Sequence, residues 1–116
     1  MRPILLWLLA IILLTEDANA QRDTSANSMV PGCNGFLTRQ EQIDRYDKGL
    51  CVGTILGLRF LSNSLLPQHS SCWPETVTGE QAIRVALAYI EGRPERTHED
   101  FRRLVIEAWH EAWPCK

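Results

Sequence analysis

What this chain of 116 residues lacks sets the first limits. It has no C-x-x-C pair, so zinc-ribbon and thiol-redox readings, which need closely spaced sulfurs, have nothing to rest on. It has no G-x-S-x-G stretch, the strand-turn-helix that activates a serine nucleophile, although Ser70 and Ser71 stand beside His69. Histidine is sparse, and His69, His98 and His110 are scattered without metal-ligand spacing. The pair His110-Glu111 would open a zinc-protease motif only with a second histidine four residues on, and that position is Pro114. The carboxylates Glu99-Asp100 and Glu107 with Glu111 are accounted for by a helix start and a solvated helix face. Neither sign of charge is in excess, with 12 basic and 14 acidic side chains, which argues against a nucleic-acid or polyanion surface. No enzyme, metal or other cofactor is expected.

What is present begins with an export device. Arg2 supplies a positive start, Ile4 to Leu14 form an uninterrupted run of 11 apolar residues, and Ala18-Asn19-Ala20 provides the A-x-A exit that signal peptidases accept. A membrane anchor is the alternative, but a span needs roughly 20 consecutive apolar residues. Thr15, Glu16 and Asp17 end the run well before that, and no later stretch is apolar enough to cross a bilayer. The mature chain is expected to start at Gln21. Removing residues 1–20 takes away Arg2, Glu16 and Asp17, leaving 11 basic and 12 acidic groups and a formal charge of −1. So small a domain has a modest core, and cross-links would help it. Cys33, Cys51, Cys72 and Cys115 all lie in the mature part, where an oxidising compartment makes disulfides the expected state.

Along the chain, residues 21–32, QRDTSANSMVPG, show no apolar period and read as a flexible lead-in to a helical domain over 33–116. Thr38-Arg39-Gln40-Glu41 has the form of a capping box and predicts a short helix near 39–45, followed by a longer one near 47–62, with a single bent helix as the alternative. Gly49, Gly53 and Gly57 recur every four residues and so share one helix face, at about 1 kcal/mol each relative to alanine. Tight packing would compensate, either against another helix of the same subunit or across a dimer seam. Residues 62–75 form a long connection that is too apolar for a spacer: Leu65, Leu66 and Trp73 either bind a partner or cover helix ends.

Thr78 to Gln81 is a second capping box, followed by Ile83, Ala86, Leu87 and Ile90 at helical spacing, with Gly92 and Pro94 as the stop. Thr97 is the expected cap of a last helix, with Glu99 and Asp100 in its first turn and Phe101, Leu104, Val105, Ala108 and Ala112 as its apolar stripe, enlarged by Trp109. The short turn between these helices predicts an antiparallel hairpin. Cys72, before the first helix, then meets Cys115, after the second, and exclusion leaves Cys33 to Cys51. The fold class is all-α, a small disulfide-bridged bundle of about four helices ending in that hairpin.

The ordered motifs resemble those of the Rap/Tai-type immunity proteins of bacterial type VI secretion systems. That family carries a C-x-G-Y-x-x-G-like motif, a C-x-P-x-x-V-T-x-x-Q segment, a P-E-x-x-H stretch and a closing P-C. Here stand Cys51-Val52-Gly53-Thr54-Ile55-Leu56-Gly57, Cys72 to Gln81, Pro94 to His98, and Pro114-Cys115. Thr54 takes the position where the family favours tyrosine. The resemblance implies a periplasmic helical domain, often dimeric, that binds a secreted peptidoglycan amidase and blocks its active site. Leu65, Leu66 and Trp73 are the candidate contacts. A stress chaperone that exposes apolar surface in acid is the alternative.

Overall fold

The computed structural model describes residues 23–116, so the expected export segment and its cleavage site lie outside the described residues. Four helices form the domain: α1 (Ala26–Leu37), α2 (Arg45–Leu61), α3 (Gly79–Glu91) and α4 (Phe101–Ala112), with a 3₁₀ turn at Pro94–Arg96 between the last two. The core gathers Met29 and Cys33 of α1, Cys51 and Ile55 of α2, Ile83, Leu87 and Ile90 of α3, and Phe101, Leu104, Val105 and Trp109 of α4. All helices contribute to one apolar interior, the small-domain solution in which each amphipathic stripe is buried by the others.

From Asp23 onward, the lead-in expected over 21–32 is instead the start of the fold. Asp23 receives the Ser25 N–H at 2.8 Å, Ser25 caps α1, and Ala26 is completely buried. The free N–H groups of the first turn find acceptors far along the chain: Ala26 N–H donates to Glu99 O and Asn27 N–H to Thr97 O, both at 2.9 Å. Phe101 N–H in turn donates to Thr24 O at 2.9 Å, and the Thr24 hydroxyl to Asp100 Oδ2 at 2.9 Å. Pro31-Gly32 inside α1 reads locally as a breaker; the helix runs through it because these long-range bonds and the buried Met29 and Cys33 hold it.

The helix expected near 39–45 is absent, and the chain turns there. The Thr38 hydroxyl donates back to Asn34 O at 2.7 Å, and Thr38 ends α1 rather than opening a new helix. Arg39 adopts φ 54°, and Gln40 N–H closes the turn onto Gly35 O at 3.0 Å, a reversal that a helix C-terminus makes through a left-handed residue. Asp44 then caps α2, its Oδ1 accepting from Tyr46 N–H at 3.0 Å.

The expected close glycine packing is real but lies on the other helix. Among the described residues, nothing approaches within 4 Å of a Cβ built on Gly49, Gly53 or Gly57. A Cβ on Gly32 would stand 2.4 Å from Asp47 O, and one on Gly35 2.8 Å from Ile43 Cβ, so α1 supplies the small residues that admit α2 and the turn before it. Cys33–Cys51 joins the two helices from within the core.

In the second half, the Thr78 cap accepts from Gln81 N–H at 3.1 Å, and Ile83, Ala86, Leu87 and Ile90 are buried as the spacing predicts. α3 and α4 pack as the antiparallel hairpin, and Cys72–Cys115 closes it with Cα atoms 4.9 Å apart. Two expectations differ in detail. Asp100, not Thr97, caps α4, accepting from Arg102 N–H at 2.9 Å, while the Thr97 hydroxyl donates to Pro94 O and finishes the 3₁₀ turn. Ala112, expected in the apolar stripe, is exposed at the end of the helix.

Candidate functional site

The connection between α2 and α3, residues 62–78, is the longest irregular stretch, and it is folded down tightly. Ser71 N–H donates to Ser62 O at 3.0 Å, bringing its two ends together, and Ser70 N–H donates to Leu66 O at 2.9 Å. Cys72 N–H donates to Trp113 O at 2.8 Å beside the disulfide. His110 Nδ1 lies 2.7 Å from Ser70 O; a carbonyl only accepts, so this nitrogen carries the proton and ties α4 to the loop. The suggestive His110 of the sequence therefore has a structural contact.

Trp73 forms the base of the loop. Its ring meets Trp109 edge to face at 4.5 Å between centroids, a geometry in which the positive ring edge meets a negative face, and lies tilted by 49° against Trp113 at 5.1 Å. The Arg59 guanidinium sits 4.8 Å above the same ring, and Trp73 Nε1–H donates to Ser71 Oγ at 3.2 Å. Trp109 is buried, its Nε1–H donating to Ala82 O at 3.1 Å. Half-buried Trp73 is thus committed to holding the loop on the hairpin.

The three candidate contact residues are accordingly placed differently. Leu66 projects at the loop crest, 65 % exposed. Leu65, half-buried, lines an open groove of about 510 Å³ with His69 of the loop and Arg103, Ile106 and Glu107 of α4. Leu65 and His69 therefore wall one side of the groove, and Leu66 stands exposed next to Leu65 in the chain, while Trp73 packs at the loop's end against the hairpin. Arg103 and Ile106 were not singled out from the sequence, and Glu107, read there as part of a solvated helix face, is partly buried; their signal was helical spacing, at i, i+3 and i+4 on the outer face of α4.

Glu107 links the groove to an ionic network under the turn between α3 and α4. Arg96 binds Glu99 through two bonds of 2.8 Å and Glu107 Oε2 at 2.8 Å; Tyr89 O–H donates to Glu107 Oε2 at 3.1 Å, and Arg103 Nε–H to Oε1 at 3.2 Å. Burial pushes the Glu107 carboxyl up, but the hydrogen bonds from Arg96, Tyr89 and Arg103 outweigh it and hold the group below its ordinary value. The bond from Arg96 likewise lowers Glu99, and the same pairing with Glu99 and then Glu107 raises Arg96. Asp100 is held low by Arg102, with Thr24 assisting. These charges are mutually neutralised, so they fix the hairpin turn rather than offer a proton at neutral pH. Among the described residues, no three His, Cys, Asp or Glu side chains gather where a metal could bind.

A ridge and groove mounted on a cross-linked helical hairpin is the equipment of a binding protein. The family model of the Rap1a immunity proteins matches residues 18–115, and the chain belongs to that family. No curated protein and no solved structure matches it. Membership makes the chain an immunity protein, with a protein toxin as its partner, in a family that is generally non-enzymatic. Its two disulfides fit a compartment outside the reducing cytoplasm. No helix among the described residues is long and apolar enough to cross a membrane.

Proposed function

We propose that this protein is exported to the periplasm through cleavage of residues 1–20 and there neutralises a type VI secretion effector that cleaves peptidoglycan as an amidase. Inhibition is steric: the loop crest enters or covers the effector's active-site cleft and excludes the wall peptide. Leu66 is the projecting contact, Leu65 lines the adjoining groove, and Trp73 fastens the end of the same loop to Trp109 and Trp113. The protein acts as a homodimer.

The observation that carries the reading is an apolar side chain, Leu66, held out at 65 % exposure on a loop fastened by a disulfide and a stack of three indoles. Leaving leucine in water has no value to the free protein, and a loop already rigid loses little entropy on docking. The lowered carboxyls favour inhibition over acid-triggered chaperoning, because the groups that tie the hairpin turn stay ionised in mild acid.

The test is peptidoglycan cleavage by a type VI amidase effector, sought first among the neighbouring genes, measured with and without the protein. Equimolar protein should abolish cleavage, and Leu66→Asp should weaken inhibition by about tenfold or more, the scale of a central contact residue. Undiminished cleavage with no complex formed would remove the reading.

A further inference from the structure

We infer that the Cys72–Cys115 bridge is a thiol-exchange site, at which a small acidic thiol adds to Cys72 and releases Cys115. The two bridges of the domain differ in access. Cys33 and Cys51 are completely buried, inside the core that α1 and α2 share. Cys72 is exposed and Cys115 half-buried, and their bridge lies beyond the ends of the two helices it closes. Exchange requires a thiolate to reach one sulfur of the bridge, so access decides which bridge reacts. A reagent in solution meets the outer bridge in the folded protein and reaches the inner one only when the core opens.

The surroundings of Cys72 select the kind of thiol. Cys72 lines an open cavity of about 340 Å³ with Arg59, Ser62, Asn63, Ser71 and Trp73. The wall is polar apart from the indole and the sulfur, and Arg59 is its charged member. Among the described residues the Arg59 guanidinium stacks on Trp73 and pairs with no carboxylate, so its charge is left for a ligand. A thiol that carries carboxylates is therefore drawn in and held beside Cys72, which a neutral thiol is not. In the step, the thiolate sulfur bonds to Cys72 Sγ as the S–S bond breaks, and Cys115 leaves with the electron pair and takes a proton from water. A second thiolate then attacks the adduct, leaving Cys72 as a thiol and the small thiol as its own disulfide. The exchange acts on the end of the candidate loop. With the bridge open, residues 62–71 keep the Ser71–Ser62 bond and the His110 contact, and Trp73 keeps its ring partners, but the covalent tie to the end of α4 is gone. None of this chemistry requires the toxin proposed above.

The test exposes the folded, oxidised protein to reduced glutathione, a thiol with two carboxylates, at about pH 8, where part of the thiol is ionised. Samples are quenched over time with N-ethylmaleimide, which caps freed cysteines, and mapped as peptides by mass spectrometry. Cys115 should acquire maleimide at least about tenfold faster than Cys33 or Cys51, and glutathione should be found on Cys72. Arg59→Gln should slow opening by glutathione about threefold or more, while leaving opening by the uncharged 2-mercaptoethanol as in the wild type. Equal initial rates for the two bridges, or glutathione on Cys115 instead of Cys72, overturn the exchange site. An Arg59→Gln effect of the same size with both thiols, or with neither, overturns the selection of an acidic thiol by the cavity.

Discussion

Gly32 and Arg39 are the two residues where a single side chain has the clearest consequence. At Gly32 a methyl group would meet the carbonyl of Asp47, a backbone atom that cannot rotate aside. Gly32→Ala should therefore lower stability by about 2 kcal/mol, the scale of an overpacked contact, read as a fall in the thermal midpoint. Arg39 is exposed and holds φ 54°, the region that favours glycine. Arg39→Gly should raise stability by about 0.5–1 kcal/mol, measured by urea denaturation. The sequence marks glycines by spacing, but spacing says which residues share a face and not whether the face turns inward. For that reason Gly49, Gly53 and Gly57 were expected to be packed against a neighbour and are open, while Gly32 and Gly35, three apart beside a proline, perform the packing.

At the scale of the elements, caps and periods were legible where partners are local. α3 follows from Thr78, whose hydroxyl accepts from Gln81 N–H, and four apolar residues at helical spacing, all within one segment. α1 does not, because its first N–H groups bond to carbonyls at Thr97 and Glu99, more than sixty residues away. The T-x-x-E pattern at 38–41 misled because the same threonine hydroxyl serves a helix end as readily as a start. The cysteine pairing was legible because the hairpin brings residues 72 and 115 to one end. Replacing both with alanine should cost about 4 kcal/mol in the loop-entropy view of a closure spanning 43 residues, measured by denaturation of the oxidised proteins.

The same elements set the response to acid. Glu99, Asp100 and Glu107 have folded values below their ordinary ones, so their stabilising effect is complete above the usual carboxyl range of about pH 4 and is lost as pH falls through the lowered folded values. Circular dichroism should be flat from pH 7 to about 5, with unfolding confined to lower pH. Arg96→Ala should move the acid transition upward, because Glu107 then keeps its burial but loses a cation. Loosening already at pH 5 in the wild type would favour the acid-chaperone reading.

For the whole molecule, the division of labour is between a core that fixes the hairpin and two outward surfaces that the core does not need. One is the loop crest and groove of Leu66, Leu65 and His69 against α4; the other is the uncharged face of α2. Fold class was legible because the apolar stripes of the last two helices and four cysteines in a short chain leave few ways to bury apolar surface, although one expected helix, near 39–45, is absent and α1 stands in its place in the count. The candidate site was legible only as an over-apolar loop. Which of its residues project and which anchor it depends on how Trp73 packs on Trp109 and Trp113, a contact across forty residues of sequence. The bundle thus holds the loop in a preformed shape, and in the proposed mode of inhibition a toxin docking there has little ordering to induce.

Hydrogen exchange on the protein alone and in complex with the proposed amidase effector tests that central claim most directly. Docking by the crest predicts slowed exchange in residues 62–71 and on the amidase segments that line its catalytic cleft, with α1 unchanged. Protection confined to other faces of the bundle, or an amidase cleft that exchanges as fast in the complex as alone, would contradict it.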